Sequence, residues 1–420
     1  MSLNAEIIAV GTELLLGNVT NTNARDLSEW LSKLGINVYY HTVVGDNPAR
    51  LREAVEIARS RADIIITTGG LGPTYDDLTK EILAACFGKA LVYHKTEGEA
   101  LRAYFARRLP GVDMLENNLR QAYLPEDCVV FRNDCGTAPG CAFLAAEKHV
   151  IMLPGPPREC RAMFQNGAAP YLEALSDAEI VSHNIHIFGM GESEVETRLQ
   201  GLMQGLTNPS LAPYAKTGEV TLRLTAKAES RAEAERIMAP VLREVRETLG
   251  EVIYGVDVDS LEACVLRLLL NAGKTIATAE SCTGGLLSKR LTDVPGASEA
   301  FLGGVVAYAN AVKTELLGVP AALIAAHGVV SEPVARAMAK GARTRLGADF
   351  GIGITGIAGP GGGTEEKPVG TVFVALATGA ETHVRSLTLG TDRGRVRIMA
   401  AHHALDMIRR YLTGLSMKIN

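Results

Sequence analysis

The first part of the chain alternates short apolar runs with segments that have apolar residues at helical spacing. An apolar run at 6–10 ends at Gly11, and apolar residues at helical spacing follow from Leu27 to Leu34, with Thr22 or Asn23 as the expected helix cap. The pattern continues with strands predicted at 36–44, 62–67 and 149–153. Helices are predicted at 51–59, after the 69–74 loop through Phe87, and at 158–166. This alternation predicts a mostly parallel, doubly wound sheet.

The pattern changes between about residues 170 and 256. It predicts a strand at 185–188, a helix at 192–202, a strand at 220–226 and a helix at 232–249, with few glycine-rich loops. We interpret this part as a small α+β module that acts as a spacer or supports a dimer.

Strand and helix alternation returns from Leu261 to the final helix. Strands are predicted at 275–279, 304–308, 350–355, 370–377 and 381–389. The predicted fold is therefore α/β, with two three-layer α/β domains joined by the α+β module. The predicted domain boundaries are 1–172, 173–256 and 257–420.

Composition narrows the function classes. The 420 residues are 47% hydrophobic and 21% charged, which is typical of globular α/β proteins. The net charge of -5, without a run of like charges, argues against nucleic-acid binding. The seven cysteines have neither zinc-site spacing nor a CxxC pair, which is typical of free thiols in a reducing cytosol. No long apolar run or N-terminal signal is visible in the sequence. We therefore expect a cytoplasmic protein with no membrane partner.

A serine lies where a predicted strand of the C-terminal domain turns into a helix. The segment Glu280-Ser281-Cys282-Thr283-Gly284-Gly285 precedes a helix that begins near Leu286. The N–H groups of Thr283, Gly284 and Gly285 could bind a phosphate or stabilise an oxyanion, because free N–H groups and the helix dipole favour negative charge. The alternative is that Ser281 only caps the helix.

A lysine follows the next predicted strand, in the segment that contains Tyr308, Asn310 and Lys313. A serine hydroxyl is a poor nucleophile until a base takes its proton. A lysine can be that base only if burial or a nearby positive charge lowers its pKa. The alternative for Lys313 is a solvent-facing helix lysine.

Two more segments of this domain are candidates for ligand contact. The loop at 353–363, with Gly356 and Gly359, contains more glycine than a turn requires, which allows a ligand to approach the backbone closely. Arg393 and Arg397, near the start of the last helix, offer guanidinium groups for a phosphate. Surface salt bridges are the alternative for both arginines.

Glycines and acidic residues follow the predicted strands of the N-terminal domain. Ligands of open α/β sheets bind outside the carboxyl ends of the strands, so we expect the loops at 11–17, 69–74 and 154–157 to converge. The candidate phosphate contacts are Gly70, Gly72, Thr74 and Gly155. The candidate ligands for Mg²⁺ or a similar divalent cation are Glu13, Asp76 and Asp77. Alternatively, the two aspartates only cap the next helix.

Residues 261–411 resemble the C-terminal domain of the CinA family, the nicotinamide-nucleotide amidases. The resemblance rests on the segments 279–285, 308–310 with Lys313, and 355–360, in the family's order. It implies that Ser281 is the nucleophile, that Lys313 is its base, and that Tyr308 and Thr355 support them. It also implies nicotinamide mononucleotide (NMN) as substrate, nicotinate mononucleotide and ammonia as products, and no cofactor for this reaction.

Residues 5–172 resemble the molybdopterin-binding-like domain at the N-terminus of CinA proteins. Segments 69–74 and 153–157, with Asp76-Asp77, carry this resemblance. It implies metal-dependent hydrolysis of ADP-ribose to AMP and ribose 5-phosphate, although related domains bind molybdopterin, so the fold leaves the substrate open. Resemblance to multidomain CinA proteins also predicts a homodimer.

Three function classes stay open from the sequence. They are a two-site nucleotide hydrolase, a molybdopterin-binding protein, and a non-enzymatic scaffold associated with competence or DNA repair. Molybdopterin handling gives no role to Ser281 with Lys313, and a scaffold needs neither the glycine-rich loop nor the aspartate pair. We therefore expect a hydrolase.

Overall fold

The computed structural model describes residues 3–108, 114–175 and 179–418. The chain divides into a first unit, Met1–Val181 with Lys227–Ala234, and a second unit, Ser182–Ala226 with Glu235–Asn420. The three domain boundaries expected from the sequence stay a prediction. Among the described helices, none is long and apolar enough to cross a membrane.

The described residues before 176 form eight strands and seven helices. The strands are β1 (Asn4–Val10), β2 (Asn37–Val44), β3 (Ile64–Thr68), β4 (Leu91–Tyr93), β5 (Tyr123–Pro125), β6 (Val129–Phe131), β7 (Gly140–Ala145) and β8 (Lys148–Leu153). The helices are α1 (Thr12–Leu15), α2 (Thr22–Lys33), α3 (Pro48–Arg61), α4 (Thr79–Cys86), α5 (Lys95–Arg108), α6 (Pro157–Met163) and α7 (Ala169–Glu173).

The main sheet of the first unit has the order β2-β1-β3-β8-β7-β6. β2, β1, β3 and β8 run parallel, which confirms the predicted parallel arrangement for them, whereas β7 and β6 are antiparallel. Separate apolar clusters that include Ile7 and Ile8 cover the two faces, so the unit has three layers. The predicted cap of α2 is wrong: Asn21 caps it and accepts from the Ala24 N–H at 3.1 Å, while Thr22 and Asn23 lie inside the helix.

The rest of the chain contains nine strands and eight helices in the described residues. The strands are β9 (Glu179–Phe188), β10 (Ser210–Lys216), β11 (Glu219–Ala228), β12 (Ile253–Val256), β13 (Ile276–Glu280), β14 (Phe301–Val306), β15 (Phe350–Gly356), β16 (Thr371–Ala377) and β17 (Thr382–Thr388). The helices are α8 (Glu192–Gly205), α9 (Arg231–Leu249), α10 (Leu261–Asn271), α11 (Leu286–Thr292), α12 (Asn310–Glu315), α13 (Ala321–His327), α14 (Glu332–Arg345) and α15 (Arg393–Leu412).

Two sheets organise this part of the chain. The α+β module has a four-stranded sheet, β10-β11-β9-β12, of which β10 and β12 were not predicted. The C-terminal sheet has the order β14-β13-β15-β16-β17, in which β14, β13 and β15 are parallel and β16 and β17 antiparallel. The carboxyl ends of the three parallel strands therefore meet at one edge of the sheet.

Strand β15 packs very closely against helix α14. A Cβ added at Gly351 would lie 2.1 Å from the carbonyl oxygen of Ala339, and one added at Gly353 would lie 2.4 Å from that of Ala335. Only glycine allows this distance between the helix backbone and the strand. The close packing positions the end of β15, where Thr355 lies.

Candidate active sites

Ser281 follows β13 at the edge where the three parallel strands end. Its N–H donates to the carbonyl of Ile354 in β15 at 2.9 Å. On the other side, the N–H of Ala307, directly after β14, donates to the carbonyl of Glu280 at 2.7 Å. Ser281 is thus held between the ends of the two neighbouring strands.

The turn after Ser281 depends on its two glycines. Gly284 and Gly285 have φ angles of +61° and +88°, in the left-handed region that favours glycine. The Gly284 N–H donates to the Ser281 carbonyl at 3.1 Å, so the expectation that this N–H is free for an anion is wrong. The side chain of Thr283 is fully buried, and its hydroxyl has no hydrogen-bond partner among the residues described.

Glu280 anchors the start of α11, a role that the sequence analysis missed. Its buried carboxylate accepts from the N–H of Leu287 at 3.0 Å and from the N–H and hydroxyl of Ser288 at 2.8 and 2.6 Å. These bonds satisfy N–H groups that a helix start leaves unpaired. The signal was available, because Glu280 is the one charged residue at the end of an otherwise uncharged strand.

Lys313 is buried, with 1% of its surface exposed, so the alternative of a solvent-facing lysine is wrong. Its Nζ donates to the carbonyls of Ala307 at 2.6 Å and Tyr308 at 3.3 Å. Burial lowers the pKa of Lys313, and the interaction with Cys282, the residue next to Ser281, opposes this only in part. Two of the three N–H groups of the ammonium thus have backbone acceptors. Within the described ranges, no hydrogen bond joins Lys313 to Ser281.

The cysteine beside the candidate nucleophile is buried. Burial raises the pKa of Cys282 to about 12, so its thiol stays protonated at neutral pH. Because the thiolate is the nucleophilic form of cysteine, this environment favours Ser281, a partly exposed residue, as the nucleophile.

The other predicted catalytic and binding side chains take different positions. Tyr308 is 65% exposed, and Asn310 is an exposed residue at the start of α12. Thr355 is fully buried, and its hydroxyl donates to the carbonyl of Val329 at 2.9 Å. Thr355 therefore holds the backbone that leads into α14.

Arg393 and Arg397 connect the last helix to the loops of this site. Arg397 donates from Nε and Nη2 to the Thr283 carbonyl at 3.1 and 2.8 Å, and Arg393 donates from Nη1 to the Gly359 carbonyl at 2.6 Å. Neither arginine forms an ion pair with a described residue, so the salt-bridge alternative is wrong for these residues. A Cβ at Gly356 would lie 2.7 Å from Val372, which gives this glycine a packing role.

The loops that follow β1 and β8 converge on one cavity, as predicted, but the residues of the 69–74 loop, Asp76 and Asp77 are not part of its lining. The cavity has a volume of about 310 Å³, and Glu13, Gly155 and Thr68, the last residue of β3, contribute to its lining. Asn23, also in the lining, donates from Nδ2 to the Gly155 carbonyl at 2.7 Å.

The glycines of the 69–74 loop are required by contacts inside the loop. Gly70 has a φ of +68°, and a Cβ there would lie 2.1 Å from the Thr79 hydroxyl. A Cβ at Gly72 would lie 2.4 Å from Oδ2 of Asp77. These glycines let the loop fold back onto its own polar side chains.

Asp76 and Asp77 both turn toward Thr74. The Thr74 hydroxyl lies within hydrogen-bond distance of both carboxylates, and this contact lowers the pKa of Asp76. Helix α4 begins at Thr79 without a side-chain cap, so the capping alternative is wrong. No group of three or more His, Cys, Asp or Glu that could hold a metal is present in the described part of the chain, so Glu13 does not join the two aspartates in one cluster.

A second buried lysine, Lys80, was missed from the sequence. Its Nζ donates to the carbonyls of Arg120 at 2.9 Å and Gln121 at 3.3 Å, and burial lowers its pKa to about 8. Arg120 in turn donates to the Thr74 carbonyl at 3.2 Å. These bonds connect Lys80, through the backbone and side chain of Arg120, to the 69–74 loop.

Comparison with known proteins decides the family. The CinA-like protein of Dictyoglomus turgidum is 48% identical over 98% of this chain and 100% of its own length. The chain belongs to the CinA family. The CinA-like protein of Desulfovibrio desulfuricans is 49% identical over 99% of this chain and 98% of its own.

Three family descriptions match successive parts of this CinA family chain. They are "Probable molybdopterin binding domain" at residues 6–174, "Damage-inducible protein CinA KH domain" at 182–255 and "CinA C-terminal domain" at 258–412. A crystal structure of the protein CinA, of unknown function, from Thermoplasma acidophilum is 34% identical, covers 40% of this chain and 98% of its own, and has a TM-score of 0.36.

Proposed function

We propose that the C-terminal domain hydrolyses the carboxamide of NMN to nicotinate mononucleotide and ammonia. The observation that carries this proposal is the buried Lys313 beside the turn of Ser281, with a pKa that burial lowers. A lysine in this environment gives up its proton more easily than a surface lysine, as a general base must.

The chemistry follows the acyl-transfer pattern of an activated serine. Ser281 Oγ attacks the carboxamide carbon while neutral Lys313 takes the hydroxyl proton. The C–N bond then breaks as Lys313 returns that proton to the leaving nitrogen, which departs as ammonia. Water hydrolyses the acyl-serine with Lys313 again as base, which releases the carboxylic acid and regenerates the hydroxyl.

The positions of the arginines support a phosphorylated substrate. Arg393 and Arg397 reach the backbone of two loops of this site, at Gly359 and Thr283. Each guanidinium has five N–H donors, more than these carbonyls accept. The remaining donors are suited to the phosphate of a mononucleotide.

Replacement of the serine tests this proposal. Ser281→Ala should abolish ammonia and nicotinate mononucleotide formation, measured by mass spectrometry, while Ser298→Ala, an exposed serine, should keep it. Absence of ammonia release from the unaltered protein would favour a molybdopterin-binding or scaffold role. Full activity of Ser281→Ala would exclude this serine as the nucleophile.

We also propose that the N-terminal domain hydrolyses the pyrophosphate of ADP-ribose with Mg²⁺ or a similar cation. The supporting observation is that the carboxylates of Asp76 and Asp77 approach one hydroxyl, that of Thr74. Carboxylate and hydroxyl oxygens are hard donors that fit such a cation, with the substrate phosphates supplying further oxygens. Asp76 and Asp77 would hold the ion, which would neutralise charge on the pyrophosphate.

Metal removal tests the second activity separately from the first. EDTA-treated, metal-free protein should stop releasing AMP from ADP-ribose but should keep the amidase activity. Asp77→Asn should also weaken Mg²⁺ binding measured directly by calorimetry. Release of AMP by the metal-free protein would refute the metal requirement.

A further inference from the structure

A cavity of about 420 Å³ in the second unit is not part of the Ser281 site. Its lining comes from the loop at 188–192, from the turn of the β10–β11 hairpin at 215–220, and from Arg395, Met399 and His403 on α15. We call it the hairpin cavity. Arg393 and Arg397 contact the Ser281 site, and Arg395 lies two residues from each of them on α15. Two residues correspond to a rotation of about 200° around the helix axis, so the Arg395 side chain points to the opposite side of α15.

The walls of the hairpin cavity are held by direct packing. Gly218, with a φ of +86°, brings the hairpin against α15, where a Cβ would lie 2.6 Å from Sδ of Met399. The ring of Phe188 stacks on His402 with centroids 5.6 Å apart and meets His403 edge-on at 5.2 Å. A side chain at position 218 would therefore push the hairpin away and open the cavity.

Two cationic side chains from different elements face the cavity. Lys216 on β10 and Arg395 on α15 are both exposed, and neither forms an ion pair with another described residue. Two carboxylates also line the cavity, Glu192 and Glu219, and an oxygen of Glu219 lies 3.4 Å from Nε2 of His402. Neither carboxylate forms an ion pair with Lys216 or Arg395, so both cationic groups are available to an anionic ligand.

The remaining lining provides apolar contact and a neutral hydrogen-bonding group. Met190, Met399 and Val220 give the cavity a thioether-rich apolar surface. Burial and the charge of Arg385 lower the pKa of His403 to about 4, so this imidazole is neutral at pH 7. Thioethers make favourable contacts with flat rings.

We infer that the hairpin cavity binds a phosphorylated small molecule with a flat ring, of the nucleoside monophosphate class. Lys216 and Arg395 contact its phosphate, and the methionines contact its ring. The volume is in the range of small-molecule sites, which is about 300–1,000 Å³. This inference does not depend on the proposed amidase or pyrophosphatase activity.

Photolabelling of the full chain with 8-azido-AMP, followed by peptide mapping, tests the site directly. Label is expected on peptides that contain residues 188–192 or 215–220, which do not belong to the Ser281 site. Lys216→Glu should weaken this labelling at least about tenfold, since a charge-assisted contact contributes about 1.5–3 kcal/mol. Lys340→Glu, an exposed lysine on α14, is the matched control and should label like the unaltered chain.

Competition identifies which part of the probe is recognised. AMP should displace the label at lower concentration than either inorganic phosphate or adenosine, because the cavity contacts both parts. Label confined to residues 3–175 would overturn the inference, since it would reflect only the N-terminal cavity. Equal labelling of the Lys216→Glu and Lys340→Glu variants would also overturn it.

Discussion

Replacement of Lys313 by methionine removes the proposed base while nearly keeping the side-chain length. General-base assistance is worth about a hundred- to ten-thousand-fold, so kcat for NMN should fall by a factor in that range. Lys340→Met is the matched control, because Lys340 is an exposed lysine on α14, and it should leave kcat unchanged.

The thermal stability of the Lys313→Met variant follows from two opposing effects. The carbonyls of Ala307 and Tyr308 lose their donor, which costs about 1–3 kcal/mol for a buried polar group. Burial lowers the pKa of Lys313, so at neutral pH the folded state carries the cost of a buried charge, which the variant no longer has. The effects oppose each other, and Tm should change by less than about 5 °C.

The pH dependence distinguishes a base from a structural lysine. The reactive form is the neutral amine, so kcat/KM should rise with pH through the pKa of Lys313, which burial places below the ordinary value of about 10.4. A coupled ammonia assay across this range should show the rise in the unaltered protein and its absence in Lys313→Met. Near-normal kcat in the variant, or persistence of the rise, would refute the role of Lys313 as base.

Three further predictions concern other buried or paired groups. Glu280→Gln puts an amide donor against N–H groups, so it should lower Tm by several degrees and reduce amidase activity; an unchanged melting curve would contradict the anchoring role. Cys282→Ala should keep kcat within the same order of magnitude, because the thiol is protonated, and a total loss would shift the nucleophile to this cysteine. Although burial opposes it, hydrogen bonds to Glu235 and Asp257 raise the pKa of His183. The charged His183 therefore stabilises the fold fully below a pH of about 6.5, and this stabilisation disappears as pH rises through the raised pKa. His183→Gln should lower Tm more at pH 6 than at pH 9, and equal losses of Tm at the two pH values would contradict this.

The parallel strands and their loops could be predicted because they combine two strong signals. Buried strands such as β3 are short β-branched runs without charged residues, and glycine-rich segments follow them. Strand β10 was missed because it contains Pro213, which argues against a strand. The structure places β10 at the edge of its sheet, where a missing N–H is tolerated.

The chemistry of the site was less accessible from the sequence than its location. Nothing in the residues around Lys313 separates it from an ordinary helix lysine, since its burial depends on how α12 packs against the ends of β13 and β14. Lys80 shows the same limit, because its acceptors are carbonyls about forty residues further along the chain. Every residue has a backbone carbonyl, so the sequence does not indicate which carbonyls will accept a hydrogen bond from a buried lysine.

The close packing of β15 on α14 has a consequence for mutational scanning. Any side chain at Gly351 or Gly353 must displace the backbone of α14, and the displacement would reach Thr355 at the end of the same strand. A scan scored only by ammonia release will therefore rank these two glycines beside Ser281, although neither needs to touch substrate. A parallel scan scored by protein abundance will separate them, because substitutions at the glycines lower the yield of folded protein and Ser281→Ala does not.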